Sequence, residues 1–357
     1  MTHSRSGRGR LLTAGQVDAL AAGATLLGSG GGGDVALGTQ LLRHALSERP
    51  VPVIDAADLA SDALVVHVGV VGAPDVLSER LIAPGDLAAA VRAVAGHLGG
   101  ALAAAGIIEI GGLNAAVGVL AAAQLQVPVI DGDLMGRAFP RISQTTLAVA
   151  GCGAAPLALV GAAGDCVVIL ASSAGSAERL VAACTLAMGG AAALALYPAT
   201  AGMLAALGVR ASLTSCLRLG RDYLACKEAG AAGLVQRLGG RLVCEGRVDE
   251  MQPRLGPAPG SLTLADRRGG SVVRVDHLDE FLAVTVDGRT VAFAPDIIVA
   301  LDPSSRRPLR CDEVRTGQTL AVLTLPPLHA WPASARSVVG PAGFGLELDL
   351  ELNPVRS

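Results

Sequence analysis

Short apolar runs rich in β-branched residues alternate with helical patterns in the first half of the chain. Stretches with helical spacing, such as residues 16–28 and 35–48, separate runs of the kind found in strands buried on both faces. The runs are VPVID (51–55), ALVVHVGVVG (63–72), GIIEIGG (106–112) and a second VPVID (127–131). This alternation predicts an α/β N-terminal domain with a largely parallel sheet.

The pattern changes after Gly239, where short alternating runs replace the helical spacing. The segment VDGRTV (286–291) places an Asp-Gly turn between two strands, which is a hairpin signal. The second half is therefore predicted to be an α+β C-terminal domain with a β-rich end. We expect a disordered tail at residues 1–10, the α/β domain at 11–168 and the α+β domain at 169–357.

One uncharged stretch, residues 184–209, is long enough to span a bilayer. Gly189, Gly190 and Pro198 interrupt it, and alanine rather than leucine makes up its bulk. We interpret it as two buried helices joined near Tyr197. The basic N-terminus is followed by polar residues, so no secretory signal forms. The sequence thus predicts a cytoplasmic protein without a membrane partner.

Charge and composition argue against nucleic acid and metal. The net charge is −3 and aromatic residues make up only 2% of the chain, which leaves few stacking platforms for bases. Seven cysteines are scattered without a CxxC pair, so neither a disulfide framework nor a zinc cluster is expected. His277 precedes Asp279 and Glu280, but no second histidine lies at ligand spacing, and no metal site is predicted.

The run GSGGGGD (28–34) raises the question of phosphate binding. The P-loop pattern fails because Asp34 and Val35 stand where lysine and a hydroxyl residue are needed. A dinucleotide fingerprint needs a strand before the glycines, whereas a helical pattern precedes them, so no cofactor is expected. Two interpretations remain: the backbone N–H groups bind a carbonyl or carboxylate, or the run is a tight turn whose Asp34 caps the next helix.

Two further loops follow predicted strands of the first domain. The strand at 127–130 is followed by Asp131 and Asp133, with Arg137 and Gln144 close behind. The segment EIGGLN (109–114) is a second such loop. Loops at the carboxyl ends of parallel strands are where α/β proteins place their sites.

These segments together resemble the S-methyl thiohydantoin desulfurase family, which is related to hydantoin-utilisation proteins. The resemblance runs from about residue 14 to the C-terminus. It rests on LGSGGGGD (27–34), GAP (72–74) with Glu79, EIGGLN (109–114), DGDLMGRAFP (131–140), LTSCLRLGR (213–221), APDIIVALD (294–302), the GQ pair at 317–318, and Trp331 with VGPAGFG (339–345). One departure is Asp279, since relatives often have asparagine before the following glutamate.

The resemblance implies a two-domain enzyme that converts an S-methylated thiohydantoin into a hydantoin and releases methanethiol. Such hydrolysis needs a base and donors for the ring atoms. The expected catalytic residues are Glu109, Asp131, Asp133 and Arg137. The expected substrate-binding residues are Gly30, Gly31, Gly32, Gly33, Asp34, Asn114 and Gln144.

Each assignment has a structural alternative. Asp131 and Asp133 could cap the next turn and pair with Arg137, and Asn114 could cap the helix after it. His67, within a buried run, is expected to be a core residue. At the level of function, the alternative to an enzyme is a non-catalytic subunit that assists a hydantoinase-type partner. We also expect a homo-oligomer.

Overall fold

The structure is a computed structural model that describes residues 10–79, 83, 85–226 and 230–348. The strands in these residues are β1 (Arg10–Leu12), β2 (Val51–Ile54), β3 (Leu64–Gly72), β4 (Leu102–Ile107), β5 (Val129–Ile130), β6 (Gly132–Asp133), β7 (Leu157–Gly161), β8 (Cys166–Ile169), β9 (Ala191–Thr200), β10 (Val209–Arg210), β11 (Arg241–Gln252), β12 (Gly260–Asp266), β13 (Val272–His277), β14 (Phe281–Val286), β15 (Arg289–Phe293), β16 (Ile297–Leu301), β17 (Pro308–Leu309) and β18 (Thr319–Leu325).

The helices of the same residues lie mostly in the first two thirds of the chain. They are α1 (Val17–Leu27), α2 (Val35–Glu48), α3 (Pro74–Glu79), α4 (Asp86–Leu98), α5 (Leu113–Leu125), α6 (Thr146–Val149), α7 (Ala174–Ala187), α8 (Ala201–Leu207), α9 (Ser212–Cys226), α10 (Ala231–Arg237) and α11 (Arg336–Val339).

The first sheet has the order β1-β2-β5-β4-β3-β9-β7-β8 within the described residues. Strands β2, β5, β4 and β3 run parallel, and antiparallel strands extend the sheet at both sides. One apolar core lies between this sheet and helices α1, α2, α4 and α5, and a second core lies on its other face. The predicted α/β domain is confirmed.

Two local expectations for strands of this sheet were wrong. Residues 191–200 form strand β9 between β3 and β7, instead of part of a helix pair. A buried alanine-rich run does not distinguish helix from strand, and Gly189 and Gly190, both with positive φ, separate β9 from α7. Strand β4 also ends at Ile107, so the residues from Ile108 to Gly112 form a loop.

The second sheet is antiparallel throughout and has the order β15-β14-β13-β12-β11-β18-β16-β17 within the described residues. Asp287 and Gly288 have positive φ and turn β14 into β15, which confirms the predicted hairpin. The α+β assignment of the second half is therefore confirmed too. Side chains of β16 and β18, such as Val299 and Leu323, join the core beneath α1, so the two domains share buried apolar surface.

Two further expectations concern the N-terminal tail and the membrane. The predicted tail at residues 1–10 lies outside the described residues except for Arg10, which begins β1 and pairs with Val53 of β2. The described helices include none with the length and hydropathy needed to cross a membrane.

Candidate functional site

The glycine run forms a tight loop between α1 and α2, which we call the glycine loop (Gly28–Gly33). Ser29, Gly30, Gly32 and Gly33 have φ values of 51°, 88°, 75° and 78°, a left-handed conformation that favours glycine. The side chain of Asp34 accepts a hydrogen bond from the N–H of Ala36 and caps α2, as predicted.

Backbone hydrogen bonds hold the glycine loop between the two domains. The carbonyl of Ser29 accepts from the N–H of Phe281, at 2.7 Å, and the carbonyl of Gly30 accepts from the N–H of Cys311, at 2.8 Å. On the other side, the carbonyl of Gly32 accepts from the N–H of Leu113, at 2.7 Å. The loop therefore crosses the junction of the N-terminal and C-terminal domains.

Two positions of the loop, Gly30 and Gly31, are packed so closely that side chains do not fit there. A Cβ on Gly30 would lie 2.6 Å from the Phe281 ring, and a Cβ on Gly31 would collide with the carboxyl of Glu280. A Cβ on Gly112 would collide with the backbone of Gly32. The glycines thus serve a close approach of backbone to backbone and of backbone to a carboxyl group.

Two cavities share the glycine loop as a wall. The smaller has a volume of about 210 Å³ and the larger about 460 Å³. Both are lined by Gly30, Gly31 and Arg310, and the smaller is also lined by Arg254 and His277. A cavity of this kind at a domain junction is the usual setting of a small-molecule site.

Glu280 is buried directly behind this wall. Its side chain is only 3% exposed, and its Oε2 atom has no hydrogen-bond partner within the described residues. Burial, together with the nearby carboxyls of Glu109 and Asp279, raises the pKa of this carboxyl to about 8, against the opposing effect of Arg137. Glu280 is therefore largely protonated at neutral pH.

Glu109 supplies a second buried carboxyl from the first domain. Its Oε1 accepts from Nδ2 of Asn114 at 2.6 Å, and its Oε2 accepts from the N–H of Phe139 at 3.1 Å. Burial raises the pKa of Glu109 to about 7, partly opposed by these hydrogen bonds. Two neighbouring carboxyls with raised pKa values are a common feature of acid–base sites.

Arg137 is the cation of this buried group. Its guanidinium donates to the backbone carbonyls of Ala138, Phe281 and Asp296, and it lies 5.1 Å from the centre of the Phe139 ring. Burial lowers its pKa to about 10, so it remains charged at neutral pH. Arg137 is thus directed at carbonyl groups of the second domain, rather than at the carboxylates of its own loop.

Asp133 holds two loops of the first domain together. Its Oδ2 accepts from the N–H groups of Ile110, Met135 and Gly136, at 2.9, 3.1 and 2.8 Å. Burial raises its pKa to about 6, although these bonds oppose the shift. Asp133 lies near Glu109, whose pKa its charge raises.

The remaining predicted residues contact different parts of the protein. Asp131 turns to α9, where it accepts from the N–H and hydroxyl of Thr214. Gln144 donates to the carbonyl of Val338 at 2.8 Å, and so ties its loop to the C-terminal segment. Asn114 contacts Glu109 and also accepts from the N–H of Val70 at 2.8 Å, so it orients the carboxyl rather than capping its helix.

The second domain contributes groups that the sequence did not assign to the site. Glu280, His277, Arg310 and Cys311 all approach the glycine loop. In the sequence, His277, Asp279 and Glu280 were considered only as metal ligands, and Asp279 also as a departure from relatives. Burial raises the pKa of the Cys311 thiol well above its usual value, and nearby acidic side chains act in the same direction, so it is protonated at neutral pH.

In the described residues, no group of three or more histidine, cysteine, aspartate or glutamate side chains is arranged to hold a metal ion. His67, noted above as a core residue, is buried and its Nδ1 lies 2.8 Å from the carbonyl oxygen of Tyr197.

Comparison with known proteins accounts for almost the whole chain. The S-Me-THD-like N-terminal domain matches residues 15–171, and the S-Me-THD-like C-terminal domain matches residues 172–355. The chain belongs to the S-Me-THD-like family. The family boundary lies between residues 171 and 172, and the boundary expected from the sequence lies between residues 168 and 169; both leave β9, a strand of the first sheet, on the C-terminal side.

A solved structure has the same architecture. The crystal structure of a protein from Chromobacterium violaceum is 25% identical in sequence, with a TM-score of 0.75, and the match covers 89% of this chain and 92% of that one. No curated protein matches the chain significantly in sequence.

Proposed function

We propose that the protein is a hydrolase that removes a methylthio group from a small five-membered N-heterocycle of the S-methyl thiohydantoin type. Water adds to the ring carbon that carries the sulfur, and the carbon–sulfur bond then breaks as the ring carbonyl forms. One proton of the water ends on a ring nitrogen and the other on the sulfur of methanethiol. No electrons are gained or lost overall, so the chemistry needs no redox cofactor.

The observation that carries this proposal is the buried carboxyl of Glu280. With a pKa raised to about 8 it keeps its proton at neutral pH, and its Oε2 has no partner among the described residues. A protonated carboxyl can donate from one oxygen while the other accepts a proton, which suits both steps of the reaction. Glu280 would first protonate the ring nitrogen while accepting from water, and then protonate the leaving sulfur while accepting from the new hydroxyl.

The ring would bind in the smaller cavity, against the glycine loop. Gly31 lies between the cavity and Glu280, because it lines the cavity on one side and contacts the carboxyl on the other. The proposal therefore includes a shift of the glycine loop when the ring enters. The N–H groups of Gly32 and Gly33 would then be available to the ring carbonyl.

The buried residues of the first domain would support Glu280. Glu109 raises the pKa of Glu280 by its charge and so keeps the proton on it. Arg137 stabilises whichever of these carboxyls is ionised, because it lies near both. Asp133 fixes the loop that carries Arg137, and Asp131 fixes the same loop to α9.

The purified chain should be tested alone on a panel of S-methyl thiohydantoins in ¹⁸O-labelled water. We expect methanethiol and hydantoin in equal amounts, with one labelled oxygen in the hydantoin. Activity of the chain alone also separates an enzyme from a subunit that assists a hydantoinase-type partner. Absence of methanethiol over the whole panel would contradict the proposal.

A further inference from the structure

His277 has a free nitrogen beside the cavity in which the substrate is proposed to bind. The side chain is 9% exposed, and it lines the smaller cavity with Arg254 and Arg310. Its Nδ1 lies 2.9 Å from the carbonyl oxygen of Leu278, while its Nε2 has no hydrogen-bond partner within the described residues. A buried polar atom without a partner is costly unless a ligand or water satisfies it.

The hydrogen bond at Nδ1 decides which nitrogen carries the proton. A carbonyl oxygen only accepts, so Nδ1 must be the protonated nitrogen. A second proton on Nε2 would leave a buried donor and a buried charge without an acceptor. With the proton on Nδ1, Nε2 presents a lone pair.

The neighbouring strand packs closely against this nitrogen. Gly260 of β12 pairs with His277 of β13, and a Cβ on Gly260 would lie 3.0 Å from Nε2. Any other residue at this position would crowd the lone pair, so the glycine leaves this side of Nε2 free of a side chain.

The groups around His277 complement one edge of a hydantoin ring. Such an edge offers an N–H group next to a carbonyl group. Nε2 is an acceptor, and the guanidinium groups of Arg254 and Arg310 are donors only. Each arginine has a carboxylate partner, Asp279 at 2.8 Å and Asp34 at 3.2 Å, which holds it at the cavity.

We propose that His277 is a specificity-determining residue whose Nε2 accepts a hydrogen bond from a ring N–H of the substrate. The inference rests on the proposed function for the identity of the ring, and it adds the requirement that one ring nitrogen carries no substituent. A ring alkylated at that nitrogen should bind more weakly.

The tautomer and the contact can be measured without turnover. In protein labelled with ¹⁵N-histidine, the Nε2 signal of His277 should have the shift of a non-protonated nitrogen, and it should move upfield when hydantoin is added. A protonated Nε2, or an unchanged signal in protein saturated with hydantoin, would overturn the proposal. Failure of hydantoin to bind would overturn it as well.

Calorimetry with methylated rings tests the same contact by changing the ligand. Wild-type protein should bind one of the two rings, 1-methylhydantoin or 3-methylhydantoin, about tenfold more weakly than hydantoin, which is the usual effect of one lost hydrogen bond. In His277→Asn that difference should vanish, because asparagine can keep the donor to Leu278 but has no acceptor at the position of Nε2. Equal binding of all three ligands by the wild type would refute the proposal.

These tests separate the inference from the function. If hydantoin binds and the Nε2 signal moves, yet no thiohydantoin releases methanethiol, the recognition by His277 stands and the proposed hydrolysis fails. If methanethiol is released and the signal does not move, the hydrolysis stands and the role of His277 fails.

Discussion

Arg137 of the first domain donates a hydrogen bond of 2.9 Å to the backbone carbonyl of Phe281 in the second domain. The bond fixes Phe281 and, with it, the neighbouring Glu280 behind the glycine loop. The two domains therefore meet through a buried cation and backbone carbonyls, and the proposed acid–base group lies at this contact.

Arg137→Leu should destabilise the protein strongly. It removes donors from three buried carbonyls and a cation from near Glu109 and Glu280. Each buried carbonyl left without its donor costs about 1–3 kcal/mol, which urea unfolding would measure. Arg92→Leu, on the exposed side of α4, is the matched control and should change stability little. Equal stability of the two variants would contradict the role of Arg137.

The stability contribution of Glu280 should depend on pH. Its pKa is raised in the folded protein to about 8 from an ordinary value of 4.5, so the unfolded chain releases this proton at lower pH than the folded one. The group therefore costs stability increasingly as pH rises from about 4.5 to 8, by at most about 1.4 kcal/mol per pH unit. Glu280→Gln removes this cost.

Urea unfolding at pH 5, 6, 7 and 8 would measure that effect. The stability of Glu280→Gln relative to the wild type should rise along this series. A difference that is the same at all four pH values would show that the carboxyl titrates normally.

Asp133→Asn tests whether Asp133 is a base or a structural acceptor. Because its Oδ2 already accepts three backbone N–H bonds, we expect the Tm to fall by several degrees and turnover to stay within about tenfold. The catalytic role that the sequence suggested remains a prediction. It would appear as a nearly unchanged Tm with turnover lowered by about 10²–10⁴-fold, when both are measured on one preparation.

Gly112→Ala should displace the glycine loop. The new methyl group would collide with the backbone of Gly32, which cannot rotate away as a side chain could. Gly256→Ala is the control, since Gly256 also has a positive φ, of 60°, but nothing lies within 4 Å of its Cβ position. We expect the control to lose about 1 kcal/mol of stability and Gly112→Ala to lose clearly more, in the same urea experiment.

The sequence was informative where local patterns and structure agree. The helical spacing of residues 35–48 corresponds to α2, and Asp34 is its cap. Glu109, Asn114, Asp133 and Arg137 were identified from loops after parallel strands, and the structure brings them into one buried region.

The rest depends on contacts between distant parts of the chain. Glu280 reaches Gly31 only because the second sheet packs against the glycine loop, and no local pattern predicts that packing. Strand β9 is buried on both faces, so its hydropathy lacks the alternation that marks a half-exposed strand. Asp131 and Gln144 were chosen by their position in a loop, and their side chains turn to α9 and the C-terminal segment.

The proposed hydrolysis depends most on Glu280 as the group that exchanges protons with the substrate. The decisive measurement is the kcat of methanethiol release by Glu280→Gln beside that of Glu250→Gln, an exposed control on β11. We expect Glu280→Gln to remain folded and to lose about 10²–10⁴-fold in kcat, while Glu250→Gln keeps the wild-type rate. A folded Glu280→Gln protein that releases methanethiol at the wild-type rate would contradict this role of Glu280.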